Sequence, residues 1–340
     1  MTEGPRTAVL PRIARVDPAD VTRRAGAAIG REVRELEQRP ADGSSLTYTA
    51  VTHTGVRLMI KVAPPGLPPN RNRDVLRQAR LLDALGEVTG VAVPELFGSD
   101  AGTPPHAPPL VVMSHTDGER YEPRHTRPRI RPAAADIWSR AIAAAQMLAA
   151  LHTPAPGDLG IDEAPITLAA EIERWHRAFT ARPLDRAAAQ AERECRELLA
   201  ATIPEPLPPA ILHGDWRLGA MQCGGPEIHA VTDWETWHIG DPRLDLAWLR
   251  LMSDPAHPFA IAPAAPTLDP LELLAVYEYA RGDEVARQDW FDALARYKHA
   301  ALSALQVDNA DRRHRTSGRT GRIRDGIPIL LTAALAHLAD

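Results

Sequence analysis

The segment Ile211–Pro242, ILHGDWRLGAMQCGGPEIHAVTDWETWHIGDP, is the only strand-like stretch in a carboxy-terminal half otherwise patterned as helix. The runs AMQC and IHAVT flank a Gly-Gly-Pro-Glu turn, so they read as two antiparallel strands of a hairpin. Asp215 and Asp233 stand symmetrically about Gly224, and a hairpin brings its outer ends together. Two carboxylates at one mouth suit a site in which one orients a nucleophile and the other holds a divalent cation. Turn aspartates at strand ends are the plain alternative.

The amino-terminal half is patterned differently. Pro18–Gly30 reads as a short amphipathic helix with Asp20 as its cap. Alternation over Leu46–Thr52 and Val56–Val62, joined by His-Thr-Gly, predicts a β-hairpin. The spacing predicts a helix over Arg73–Val88, and two short strands follow within residues 91–100 and 108–118. From about residue 119 the pattern turns helical, with helices over Ala133–His152, Leu168–Phe179, residues 186–202, Pro270–Arg281 and Gln288–Val307, and over an apolar run near the end. The fold class expected is α+β. A small β-rich N-lobe over 1–117 precedes a larger, mainly helical C-lobe over 118–340, with a hinge near Asp117–Glu122.

Composition excludes several function classes. A net charge of −5 gives no global reason to bind nucleic acid. Cys195 and Cys223 are the only cysteines, too few for a disulfide framework or a cysteine zinc site. The first twenty residues lack an apolar core of signal length, and no run approaches the roughly 20 apolar residues of a membrane span. A cytoplasmic protein, monomer or homodimer, without nucleic-acid or membrane partners, is the expectation.

HGDWRLGAMQ followed by VTDWETWHIGDPRLDLAWL resembles the aminoglycoside phosphotransferase/choline kinase-like superfamily, with its His-Gly-Asp, four residues, Asn, then Asp-Trp-Glu and Gly-Asp-Pro. The closest likeness is to phosphotransferases related to the kinase domain fused to some acyl-CoA dehydrogenases. DGSSLTYTA, LMIKVA, VVMSHTDG and the helix ending MLAALH extend it over roughly residues 20–335. The resemblance implies a bilobal protein kinase-like fold, with ATP or GTP and Mg²⁺ as cofactors and a hydroxyl-bearing small molecule as acceptor. Asp215 would accept or orient the acceptor hydroxyl, and Asp233 would hold Mg²⁺. Lys61 would pair with the nucleotide phosphates, with Gln78 beside it. Gly43, Ser44 and Ser45 would turn over the phosphates, and backbone groups of Ser114 and Thr116 would meet the purine. Arg217 would reach the transferred phosphate or an anionic substrate, and His213 would support the loop. Asp241 and Asp245 read as scaffold, Asp241 bonding the backbone of the catalytic loop and Asp245 capping a helix.

Two positions depart from the family pattern. Its Asn falls at Ala220, whose methyl group ligates no metal, and its helix Glu falls at Gln78, which supplies no countercharge; Asp74, one turn earlier, is placed to compensate. Three readings follow: a working kinase with one dominant metal, a nucleotide-binding pseudokinase, or a kinase fold turned to other chemistry. For the acceptor, Trp175, Trp237, Trp248, Trp290 and Tyr297 are wall candidates. The segment Asp311–Arg324 concentrates six arginines, either a solvated loop or a means of recognising an anion such as a CoA thioester or phosphorylated metabolite.

Overall fold

Strict alternation of inward and outward residues builds the amino-terminal sheet. In the strand Arg57–Val62, Leu58, Ile60 and Val62 are fully buried, while Lys61 between them lies on the opposite face. The computed structural model describes residues 16–40, 44–104, 106–124, 130–180, 184–260, 266–314 and 317–339. The chain divides into two compact units, residues 1–83 with 95–115, and residues 84–94 with 116–340.

The first unit is a five-stranded antiparallel sheet in the order β1-β2-β3-β5-β4, formed by β1 (Val33–Gln38), β2 (Leu46–Thr52), β3 (Arg57–Val62), β4 (Leu96–Asp100) and β5 (Leu110–Ser114). Helix α1 (Pro18–Ile29) lays Val21 and Ala25 on the apolar face of this sheet, against Tyr48, Leu58, Ile60 and Val112. Its cap is Asp17, which accepts from Ala19 N at 3.0 Å, and not Asp20, because Pro18 already occupies the first helical turn. The strand β1 carries no alternation legible in the sequence. Val33 is its only buried residue, and Glu35 at φ 55° breaks the register with β2. An edge strand with one anchoring side chain leaves a charged, unpatterned signature.

In the second unit α3 (Ala134–Leu151) grips the site from beneath. Its buried Arg140 donates to Gly225 O at the hairpin tip (2.7 Å) and to Glu119 Oε1 (2.7 Å). Its Ala144 carbonyl accepts from Trp216 Nε1 (3.1 Å). The hairpin is β7 (Met221–Gly224) with β8 (Glu227–Val231), as the turn composition predicts, and β6 (Ala210–Leu212) pairs antiparallel with β9 (His238–Gly240). A buried core joins α4 (Leu168–Thr180), α5 (Arg186–Ala201), α6 (Arg243–Ser253), α8 (Gln288–Arg312) and α9 (Gly318–Leu338), with α7 (Pro270–Arg281) against α3 and α6. Most of the arginine-rich segment is helical and not loop, since α8 runs to Arg312 and α9 starts at Gly318. Among the described residues no helix is long and apolar enough to cross a membrane.

Trp216 is fully buried, so Trp216→Ala should cost about 3–5 kcal/mol of stability. Trp216→Phe, which forfeits mainly the bond to Ala144, should cost about 1 kcal/mol. Urea denaturation of the two variants measures the difference.

Candidate active site

Strand β6 delivers a buried apolar run into His213-Gly214-Asp215, and the backbone of this loop is held by side chains. The Asp245 carboxylate accepts from His213 N (2.6 Å) and Gly214 N (2.9 Å). His213, itself fully buried, donates from Nε2 to Thr232 O (2.8 Å) and accepts from Asp215 N at Nδ1 (3.1 Å), so a single tautomer satisfies both ring nitrogens. Gly214 sits at φ 81°, where a Cβ would lie 2.7 Å from Thr236 O. The loop-holding role expected of Asp241 therefore falls to Asp245, which lies inside the first turn of α6 and does not cap it. Asp245 holds the loop, while Asp241 is absorbed by Arg243 (2.9 and 2.7 Å) and Leu207 N (3.0 Å), and Pro242 precedes α6 at its cap. Burial opposes the charge on Asp245, but His152, His213 and Lys298 more than offset it and bring its carboxyl down to about 2.

Asp215 is fixed from two sides. Trp248 Nε1 donates to its Oδ1 at 2.7 Å, and Arg217 Nε lies 3.0 Å from both oxygens. Arg217 extends to Glu122 Oε2 (2.5 Å), and Glu122 Oε1 accepts from Arg124 Nε (3.1 Å). Burial works against the Arg217 cation, but Asp215 and Glu122 hold its guanidinium above its ordinary range. Arg217 is thus committed to two carboxylates, which makes it a positioner of Asp215. Lys298 Nζ donates to Gly214 O (2.6 Å) and lies 4.1 Å from the centre of the Trp248 ring. Burial pushes its ammonium down, against the pull of Asp245, Glu171 and Asp215.

The open end of the hairpin is tied shut. Thr232 N and Oγ1 both donate to Ala220 O (2.8 and 2.9 Å), and through Thr232 the His213 ring joins the Asp215 loop to the Asp233 end. Asp233 adopts φ 66°, a left-handed conformation that aspartate tolerates better than most residues. Its carboxylate is forked by Arg120, Nη1 to Oδ2 at 2.8 Å and Nη2 to Oδ1 at 3.3 Å. Arg120 Nη2 also donates to Thr232 Oγ1 (2.8 Å). With its amide oxygen turned towards Arg120, Gln222 accepts from Nε at 2.9 Å and donates to Gly118 O at 3.2 Å. Gly118 has φ 134°, and a Cβ there would come within 2.6 Å of Cys223 O, so only glycine allows this close pairing with β7. Ala220 is fully buried and offers no oxygen from its side chain. As a donor set, these residues fit one divalent cation on the Asp233 carboxylate, with Arg120 as competitor, and do not fit a second cation at position 220.

The remaining predicted residues take up separate positions. In the first unit Lys61 Nζ donates to Gln78 Oε1 (3.4 Å), while Gln78 Nε2 and Ser44 Oγ both donate to Asn72 O. Asp74 does not pair with Lys61; it accepts from Arg77 N (2.9 Å) at the start of α2 (Val75–Gly86). Ser45 is buried, and Gly43 lies outside the described residues. Ser114 gives its N–H to Glu95 O (2.8 Å) and its hydroxyl accepts from Glu95 N (2.9 Å), so its backbone donor is occupied. In the second unit Thr116 is half-buried.

A cavity of about 350 Å³ opens at Asp215. Of the aromatic candidates, Trp175 and Trp248 line it, whereas Trp237, Trp290 and Tyr297 do not. Sequence reasoning passed over Lys298, Arg124, Arg174 and Arg120. A signal existed for Lys298, the one lysine in the run Trp290–Ala301 of α8, which is buried except at Arg296 and Lys298.

The sequence model of the phosphotransferase enzyme family matches residues 35–275. The chain belongs to this family. Solved structures share its fold: a provisionally assigned aminoglycoside phosphotransferase from Ralstonia eutropha JMP134 (17% identity, 96% of this chain and 99% of that one, TM-score 0.77); an amicoumacin kinase in complex with AMP-PNP, Ca²⁺ and amicoumacin (14%, 93% and 94%, 0.64); and a macrolide 2′-phosphotransferase from Brachybacterium faecium (18%, 91% and 97%, 0.55). No curated protein sequence matches the chain. Membership makes the chain a small-molecule phosphotransferase by family, on an α+β fold of the expected kind.

The Asp245 carboxyl is depressed from 3.8 to about 2 in the folded chain, so its contribution is complete above pH 4 and is lost as pH falls towards 2. Asp245→Asn should lower stability by about 2 kcal/mol at pH 6 and remove that share of the acid sensitivity. Urea midpoints of both proteins between pH 6 and pH 3 measure it.

Proposed function

We propose that the chain transfers the γ-phosphoryl group of ATP or GTP to a hydroxyl of a small molecule, a hydroxyacyl compound or secondary metabolite. The observation that carries this reading is the Asp215 carboxylate, presented on a cavity wall and fixed by Trp248 and Arg217. Its Oδ2 accepts only from Arg217 among the described residues and keeps capacity for an acceptor hydroxyl. In the transfer, the acceptor oxygen bonds to the γ-phosphorus, the bond from that phosphorus to the β–γ bridging oxygen breaks, and the nucleoside diphosphate leaves. The hydroxyl proton passes to Asp215. Arg217 and Trp248 hold the carboxylate in one orientation, so little reorganisation accompanies the step. Lys61, with Ser44, Ser45 and Gly43, is assigned to the nucleotide phosphates, and Asp233 to Mg²⁺. When bound, Mg²⁺ neutralises charge on the phosphate oxygens.

Asp215→Asn should reduce phosphoryl transfer by at least about 100-fold while leaving AMP-PNP affinity unchanged. An unchanged rate across a panel of hydroxyl acceptors would sink the assignment. A second reading, a nucleotide-binding protein without turnover, draws on the guanidinium that already neutralises Asp233 and on the missing donor at Ala220. Arg120→Ala should tighten Mn²⁺ binding, followed by electron paramagnetic resonance, by about five-fold, the worth of an exposed ion pair of roughly 1 kcal/mol. Asp233→Asn should abolish that binding in either background.

A further inference from the structure

The cavity beside Asp215 has an unusual charge for its surroundings. Five cations line it, Arg124, Arg174, Arg217, Lys298 and Arg319, with Asp215 as the only lining carboxylate. Adjoining carboxylates neutralise part of this charge: Glu122 pairs with Arg217 and Arg124, and Glu171 with Arg174 (3.0 Å). Counting Asp245, which acts on Lys298 from beyond contact distance, five cations face four carboxylates, and the surplus can be located. Arg319 has no carboxylate within 4 Å among the described residues, and Lys298 has none in direct contact, with Asp245, Glu171 and Asp215 acting on it from further off. Lys298 uses one of its three protons, on Gly214 O, the carbonyl next to Asp215. Arg319 stands exposed in the first turn of α9, a turn with no acidic residue and an end of a helix where the dipole disfavours a cation. Helix stability does not account for an arginine there.

The aromatic lining supports the same conclusion. Trp248 gives its N–H to Asp215 and receives Lys298 over its ring, and Trp175 gives its N–H to Glu171 (2.7 Å) and carries Arg174 at 4.7 Å. These rings hold cations in place within the cavity.

Resting on the phosphotransferase reading above, we infer that the acceptor is an anion: a hydroxylated small molecule whose carboxylate or phosphate is held by Lys298 and Arg319 while its hydroxyl meets Asp215. Guanidinium and ammonium groups bind either oxyanion. A polycationic acceptor meets repulsion from the same groups.

The test is isothermal titration of the full chain, without nucleotide, against inorganic phosphate, glycerol 3-phosphate, 3-hydroxybutyrate, glycerol and kanamycin. At least one anion should bind, more weakly as salt rises, and the preference between phosphate and carboxylate probes identifies the group recognised. Arg319→Ala, an exposed site whose replacement leaves the fold intact, should weaken that binding about five-fold or more, and Lys298→Met should weaken it further. Failure of all the anions to bind at millimolar concentrations, tighter binding of kanamycin or glycerol, or an unchanged affinity in Arg319→Ala overturns the inference. A separate titration with AMP-PNP keeps the two readings apart. Absent nucleotide binding sinks phosphoryl transfer and leaves the anion result standing, whereas nucleotide binding and transfer to a neutral or cationic acceptor sinks only the anion.

Discussion

The Asp245 carboxylate on the His213 and Gly214 amides is the contact from which the rest of the site follows. Two consecutive N–H groups leaving a buried strand have no ladder partner, and leaving them unpaired costs more than most single contacts recover. One carboxylate satisfies both and so fixes the direction in which the chain leaves β6. Asp215 inherits that direction, and the His213 ring carries it across to Thr232 and the end of the hairpin. The carboxylate arrives from α6, whose residues Leu246–Met252 are buried, so the loop is referenced to the helical core and not to solvent.

Around this fixed loop the polar groups form one connected chain. Asp215 leads through Arg217, Glu122 and Arg124 to His299, and His299 contacts His257. Such a chain distributes the cost of burying charge, because each ion has a partner on both sides. Trp248 joins it to the packing, with its N–H on Asp215 and its ring face under Lys298.

The parts of this that could be read in advance share a property: their signal is local. The hairpin follows from Gly-Gly-Pro-Glu between two short strand runs, and Lys61 falls on the outer face of β3 because its neighbours are Ile60 and Val62. Family membership, legible in the motifs at 213–222 and 231–245, fixes the α+β class. What escaped the sequence depends on distant pairing. Nothing local distinguishes Asp241 from Asp245, and their duties are decided by whether Arg243 or the His213 amide lies within reach. The cationic lining is assembled from α4, α8 and α9 with Arg124 and Arg217 from two loops, and no linear window contains it. The edge strand β1 was hidden by its charges, as a solvent-facing strand requires.

Arg120 gives the hairpin end a property that a diffusible ion does not have. Held by Gln222 and by the Glu119–Cys223 pairing of the adjacent backbone, the guanidinium is attached to the chain, so it meets Asp233 at a local concentration set by a short tether and independent of the medium. A free cation reaching the Asp233 carboxylate would have to displace this side chain, so the pairing lowers the affinity of that carboxylate for any diffusible ion. The reach of one side chain therefore sets how readily that carboxylate changes partner.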